Sequence, residues 1–160
     1  MNDQQIKGHE NDLYYYGRRV TRYPIFQSND RTVTQLKNSG GLRFIRNEAA
    51  ADSIVTYEKK VESIYKLQED ENEERKSLYP ILCQMYDPFV FDKMAEGSKI
   101  IRPNDNPPLR SYDTKIQKDL AFYISEIKGS DQLTILQLQN LETKAENTIA
   151  FLQKEYNLDN

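Results

Sequence analysis

The sequence has 160 residues, 38% of them apolar and 29% charged, with a net charge of −3 and a single cysteine. That composition suits one modest hydrophobic core, and the lone Cys83 excludes an internal disulfide. No run of about 18 apolar residues occurs that could span a membrane, and the polar opening MNDQQIKGHEND does not read as a secretory signal.

In chain order, residues 2–23 read as a helix with Ile6, Leu13, Tyr16 and Val20 on one side, weakened by Gly8 and Gly17. Tyr14, Tyr15 and Tyr16 are consecutive and therefore point in three directions. One or two of them belong to the core with a wet hydroxyl edge. His9 is the only histidine. It has no companion ligand for a metal and reads as a surface residue. Pro24 ends the helix, and Ile25 and Phe26 pin the next loop to the core. Asn29 or Asp30 caps a short helix from Arg31, with Val33 and Leu36 on one face. Asn38-Ser39-Gly40-Gly41 is its stop, because glycine takes the left-handed conformation without a Cβ clash. The Gly-Gly turn lacks the spacing of a phosphate loop, and no strand precedes it. It reads as a helix–helix corner.

Asn47 caps a long amphipathic helix whose stripe, Ile54, Tyr57, Val61, Ile64 and Tyr65, recurs at three- and four-residue steps. Its continuation, KLQEDENEERKS, is nearly all charge. Glu62 with Lys66 and Glu71 with Arg75 are favourable i,i+4 pairs. Glu69, Asp70, Glu71, Glu73 and Glu74 have neither the spacing nor the glycine of a calcium loop, so the segment reads as solvated helix. Apolar residues return at Leu78, Ile81, Leu82 and Met85, around Pro80. The pattern predicts one kinked path from Asn47 to Tyr86. The other arrangement open to it is a new helix with Pro80 in its first turn. With Leu82 and Met85 around it, Cys83 reads as a packed apolar residue rather than a nucleophile.

Phe89 to Met94 form a short apolar plug closed by Gly97. Residues 98–110 hold three prolines and read as a surface loop, one candidate contact surface. Ser111 or Asp113 caps a further helix with the stripe Ile116, Leu120, Tyr123, Ile124 and Ile127. Lys128-Gly129 reads as its stop and Ser130 as the cap of a last helix carrying Leu138, Leu141, Ala145, Thr148, Leu152 and Tyr156. These two helices are expected to form an antiparallel hairpin with coiled-coil-like packing. No strand is predicted.

Charge is unevenly spread. Residues 1–46 hold eight Lys/Arg against four Asp/Glu, leaving fourteen against twenty-one beyond them. Arg18, Arg19, Arg22, Arg31, Arg43 and Arg46 are therefore candidates for contact with lipid headgroups or nucleic acid. Docking on the chain's own acidic helices accounts for the same asymmetry. The sequence pI of ≈ 5.3 falls short of the basic footprint of a nucleic-acid binder. A hydrolytic site needs a nucleophile with a positioned base, and His9 in a polar terminus is a poor base. A di-iron site needs Glu-x-x-His on two helices, which one histidine cannot supply. A site built from carboxylates alone stays open.

The run SNDRTVTQLKNSGGLRFIRNEAAADSIVTYEKKVESI resembles a segment of uncharacterised membrane-anchored helical proteins from Bacteroidota. The matching residues are Thr32, Leu36, Lys37, Ser39, Gly40, Leu42, Arg43, Ile45, Arg46, Asn47, Ile54 and Tyr57, and the upstream LYYYGRRVTRYPIF is similar as well. The resemblance covers residues 13–65, and beyond them only helical character. It implies a short N-terminal stretch and one membrane helix ahead of the helical domain, on the extracytoplasmic face of the inner membrane. This sequence has no such helix, so either an anchor precedes Met1 or the chain is a soluble relative. The resemblance carries no activity and no catalytic residues.

The expectation is thus an all-α protein, an antiparallel helical bundle forming one domain over residues 1–160. It has an N-terminal helix over 1–24, one long and kinked helix, and a C-terminal helical hairpin. The expected function is non-enzymatic interaction or sensing as the soluble part of a membrane-tethered protein, with an unknown protein partner or self-association. No catalytic, metal or cofactor-binding residues are assigned. The alternative is an anionic-surface or nucleic-acid binder using Arg18, Arg19, Arg22, Arg43 and Arg46, with binding lost when Arg18 and Arg19 are replaced together.

Overall fold

The computed structural model describes residues 6–158, and they are mainly helical. Helix α1 spans Glu10–Arg19, α2 Arg31–Asn38, α3 Glu48–Lys76, α4 Tyr79–Met85, α5 Pro88–Lys93 and α6 Thr114–Tyr156. A small antiparallel ribbon, β1 Ala95–Glu96 and β2 Lys99–Ile100, comes between α5 and α6 in sequence. This is the all-α class that the apolar periodicity predicts. Among the described residues, no helix is long and apolar enough to cross a membrane.

Local chemistry sets several of the ends. The Asn47 side chain accepts from the Ala50 amide at 3.2 Å, and the Asp113 carboxylate accepts from the Lys115 amide at 2.7 Å. Each meets amides that have no partner inside the first helical turn. After α2, Gly40 turns the chain at φ +66°, and Gly41–Phe44 continue as a 3-10 turn. Asp87 caps α5 through the Phe89 amide at 2.8 Å, with Pro88 in the first turn.

Four expectations about elements need correction. The N-terminal helix expected over residues 1–24 spans only Glu10–Arg19, and residues 1–5 of that expectation lie outside the described ones. The kinked path through Pro80 is two helices. Proline has no amide for the Lys76 carbonyl, so α3 ends at Lys76 and Pro80 sits in the first turn of α4. A short ribbon is present where no strand is expected. Gly97, at φ +58°, turns the chain so that Ala95 faces Ile100 and Glu96 faces Lys99. The C-terminal hairpin does not form, because α6 runs unbroken through Gly129. Leu120, Ile127, Thr134, Leu141 and Thr148 are all buried. They recur every seven residues, so the buried stripe keeps its phase across Gly129, where a corner would break it.

The glycine's cost is therefore only its backbone entropy. An added Cβ at Gly129 meets nothing within 4 Å. Gly129→Ala is expected to raise stability by about 0.5–1 kcal/mol. At a helix-ending glycine the same change would lower it. Urea unfolding of the two proteins reads the sign.

The described residues fall into two compact units. One comprises those up to Pro24 with Asp70–Asp131, and the other Ile25–Glu69 with those from Gln132 onward. The first is built on Ile6, Tyr14, Leu78, Leu82, Met85, Tyr86, Met94, Leu109, Leu120 and Ile127. The second is built on Val61, Ile64 and Leu141, against which Phe26, Tyr57 and Leu138 pack. In the second unit, Ser53 and Thr148 hydroxyls lie 3.2 Å apart, and the Ser28 amide donates to the Tyr65 hydroxyl at 2.9 Å. Phe26 pins its loop as expected, whereas Ile25 faces water.

The charged part of α3 is not wholly solvated. Gln68, Glu71 and Arg75 are buried and continue the three- and four-residue steps of Val61 and Ile64 to Leu78. Arg75 donates to the Val20 carbonyl and to the Asp131 carboxylate, and its guanidinium lies 4.7 Å from the Tyr23 ring centre. The i,i+4 pairing with Glu71 leaves out these partners, which are remote in sequence.

Candidate functional site: an aromatic cleft with two guanidinium groups

The site is built outward from Tyr14 in the first unit. Of the three consecutive tyrosines, Tyr14 is fully buried and Tyr16 is 62% exposed, the divergence that helical geometry requires. The Tyr14 hydroxyl donates to the Pro108 carbonyl and accepts from the Asp87 amide, both at 3.0 Å. Its ring lies 5.1 Å from Tyr86 and 5.8 Å from Phe91. Tyr86 and Phe91 stack at 5.1 Å and 26°. Burial holds the Tyr86 hydroxyl far above its ordinary range, with the neighbouring Tyr14 adding to the effect. Burial raises the Tyr14 hydroxyl as well.

One turn after Tyr14, the α1 backbone rests directly on Tyr86. A Cβ on Gly17 would lie 2.7 Å from that ring, which is closer than packed carbons approach. Beside this contact opens a cleft of about 270 Å³, lined by Arg18, Tyr79, Cys83, Tyr86, Phe91 and Arg110 among others. Arg18 stacks its guanidinium 5.2 Å from the centre of the Phe91 ring. Its Nε is shielded from water and has no hydrogen-bond partner.

Arg110 is fixed by the end of α4. The last carbonyls of a helix have no amide of their own helix to meet, and a cation suits that negative end. The Arg110 amide donates to the Met85 carbonyl, and its Nη1 donates to the Cys83 carbonyl, both at 3.0 Å. Cys83 itself is exposed, which corrects its reading as a packed residue. α4 turns Leu82 and Met85 inward, and at about 100° per residue this rotates position 83 outward. Its thiol donates to the Pro80 carbonyl at 3.1 Å.

Residues 98–110 are tied to α1. Buried Glu10 accepts from the Gly8 amide at 2.7 Å, from the Tyr112 hydroxyl at 2.8 Å and from the Asn106 side chain. The Asn11 amide donates back to Asn106 at 2.9 Å, and Arg102 pairs with Asp12. Burial by itself would raise the Glu10 carboxyl. The Tyr112 hydroxyl, its own and the Gly8 amide, and Asn106 together outweigh burial and hold it below the ordinary carboxylate value. A depressed folded value means that this contribution is full above the ordinary carboxylate range and is lost as the pH falls through the folded value. Glu10→Gln is expected to cost about 1–3 kcal/mol at neutral pH, and the gap from wild type should close in acid. Melting curves of both proteins along a pH series measure this.

The arginines singled out from the sequence are divided between the units. Arg18, Arg19 and Arg22 belong to the first, and Arg43 and Arg46 to the second. Of these, Arg18 lines the cleft. Arg19 donates to the Tyr15 hydroxyl at 2.6 Å and lies over that ring, where Arg102 also stands. Arg22 and Arg46 are exposed, and Arg43 lies over Phe44. His9 is exposed, as expected, with its ring 4.0 Å from Asp12. Sequence reasoning missed Arg110, Tyr86 and Phe91. The available signal was Gly17, a glycine inside a helix, which marks a close approach. No protein-family model, curated protein or solved structure matches this chain.

Proposed function

We propose that this chain is a non-enzymatic binding domain, serving sensing or interaction, with the cleft of the first unit as its ligand site. The observation that carries this reading is the lining: two guanidinium groups stand among aromatic and aliphatic walls with no carboxylate beside them. Such a cleft binds and orients. Cationic donors on apolar walls are the features of a small-molecule site, while a nucleophile with its base is what a reaction would need. The sequence resemblance supports a place for this domain in a membrane-tethered protein, and the apolar stripes of its helices support an antiparallel bundle form. Cys83 is the chain's only thiol and reports on the cleft without mutation. Its rate of modification by N-ethylmaleimide is to be followed by mass against a fragment library of neutral, anionic and cationic compounds. The reading expects at least one class to protect the thiol saturably and to be recovered chemically unchanged. Protection by none, or conversion of the protecting compound, sinks it.

A second reading concerns α6 in the second unit. Ile135, Ile149 and Tyr156 are 43–56% exposed there and, at about 100° per residue, lie on one side of the helix, an apolar stripe open to a partner. Self-association through this face predicts that sedimentation equilibrium finds a dimer, which Ile135→Asp returns to monomer. A monomer in the wild-type protein rejects it.

A further inference from the structure

We infer that the cleft takes a small aromatic carboxylate. This rests on the binding reading above and narrows it to one ligand class.

The volume sets the size. About 270 Å³ lies just below the range of drug-sized pockets, roughly 300–1,000 Å³, and suits a single ring with a short side arm. Exposed Tyr79 and half-buried Phe91 supply apolar surface, with buried Tyr86 stacked behind Phe91. A planar ring packs on such faces in offset or edge-on contact. An inorganic anion would leave those walls unfilled.

The donors set the charge and the head group. Arg18 and Arg110 both line the cleft, with no acidic residue in the lining to neutralise them. Arg18 Nε is shielded from the cleft's solvent, so the Arg18 contribution comes from the terminal amino groups of its five-donor guanidinium. Arg110 spends one N–H on the Cys83 carbonyl and, with five donors on a guanidinium, retains others. Two guanidinium groups match an anion of two coplanar oxygens, which guanidinium binds through paired N–H···O bonds. Two guanidinium groups would also neutralise a phosphate monoester dianion, so the carboxylate assignment rests on the planar two-oxygen geometry, and phenyl phosphate is its direct competitor in the test. Arg18 also stays fixed while it binds, because its stacking on Phe91 limits the rotamer freedom lost on contact.

The test uses the full chain and the Cys83 reporter. The rate of N-ethylmaleimide modification is measured against rising phenylacetate, its neutral isostere phenylacetamide, phenyl phosphate and inorganic phosphate. Phenylacetate is expected to slow modification saturably, with phenylacetamide without effect over the same range. Arg18→Gln and Arg110→Gln should each raise the half-protecting concentration about tenfold, the loss typical of one charged hydrogen bond. Arg18→Lys should fall between, and exposed Arg22→Gln should match wild type. Circular dichroism establishes that each variant is folded. Equal protection by phenylacetamide shows that charge is not read, and stronger protection by phenyl phosphate shows that phosphate is the preferred head group. Either result overturns the carboxylate assignment while leaving the cleft a binding site. Absence of protection by phenylacetate also overturns it, and the fragment library then decides separately whether the cleft binds anything.

Discussion

Arg75→Met is expected to destabilise the protein by about 3 kcal/mol, the lower end of the cost of breaking a buried ion pair. The lower end applies because the Asp131 side chain keeps 44% of its exposure and can be partly rehydrated when its partner goes. Three interactions are lost together: the pair with Asp131, the bond to the Val20 carbonyl and the stacking on Tyr23. Methionine keeps the length and the apolar stem, so the loss isolates the guanidinium rather than a cavity. A double-mutant cycle with Asp131→Asn separates the ion pair from the carbonyl bond. Urea unfolding measures both. A loss below about 1 kcal/mol, the range of exposed pairs, would mean that Arg75 is solvated, as its surrounding run of charge suggests.

Tyr14 is the second position of large effect. Tyr14→Ala is expected to cost about 3–5 kcal/mol, the range for emptying a buried aromatic site, because its ring fills the space between Tyr86 and Phe91. Tyr14→Phe keeps the ring and removes only the hydroxyl. That leaves the Asp87 amide and the Pro108 carbonyl without their shared partner, at about 1–3 kcal/mol. For a chain of this length each kcal/mol lowers the melting temperature by roughly 2–4 °C. Calorimetry of the two variants should therefore rank alanine well below phenylalanine. Equal melting temperatures would place the hydroxyl, and not the ring, at the centre of this packing.

Helix identity is legible in the sequence where it depends on near neighbours. Asn47 and Gly40 each act within four residues, and each begins or ends a helix for the reason its chemistry gives, whereas at Pro80 the local chemistry fits both a kink and a break. Gly129 misleads because a Lys-Gly-Ser string is locally a good stop. That local preference is overridden by a buried stripe that extends more than a turn to either side. A longer window on the spacing from Leu120 to Thr148 reveals the unbroken phase. The α3 charges mislead for a different reason. Periodicity analysis counts apolar residues, and here the inward face continues through Gln68, Glu71 and Arg75. Arg75's partners, Val20 and Asp131, lie about fifty-five residues away in either direction. The cleft is least legible. It draws Arg18 from α1, Cys83 from α4, Phe91 from α5 and Arg110 from the proline-rich segment, and no spacing rule joins four segments. Of these residues, only Arg18 stands out as a site candidate in the sequence, and for its charge.

The most direct test of the binding reading is a two-dimensional amide NMR titration of the full chain with whichever fragment best protects Cys83. Saturable shifts centred on Gly17, Arg18, Cys83, Tyr86 and Arg110, with Ile64 and Leu141 unmoved, are the predicted result. Shifts centred on Ile64 and Leu141, or no shift at protecting concentrations, would contradict it.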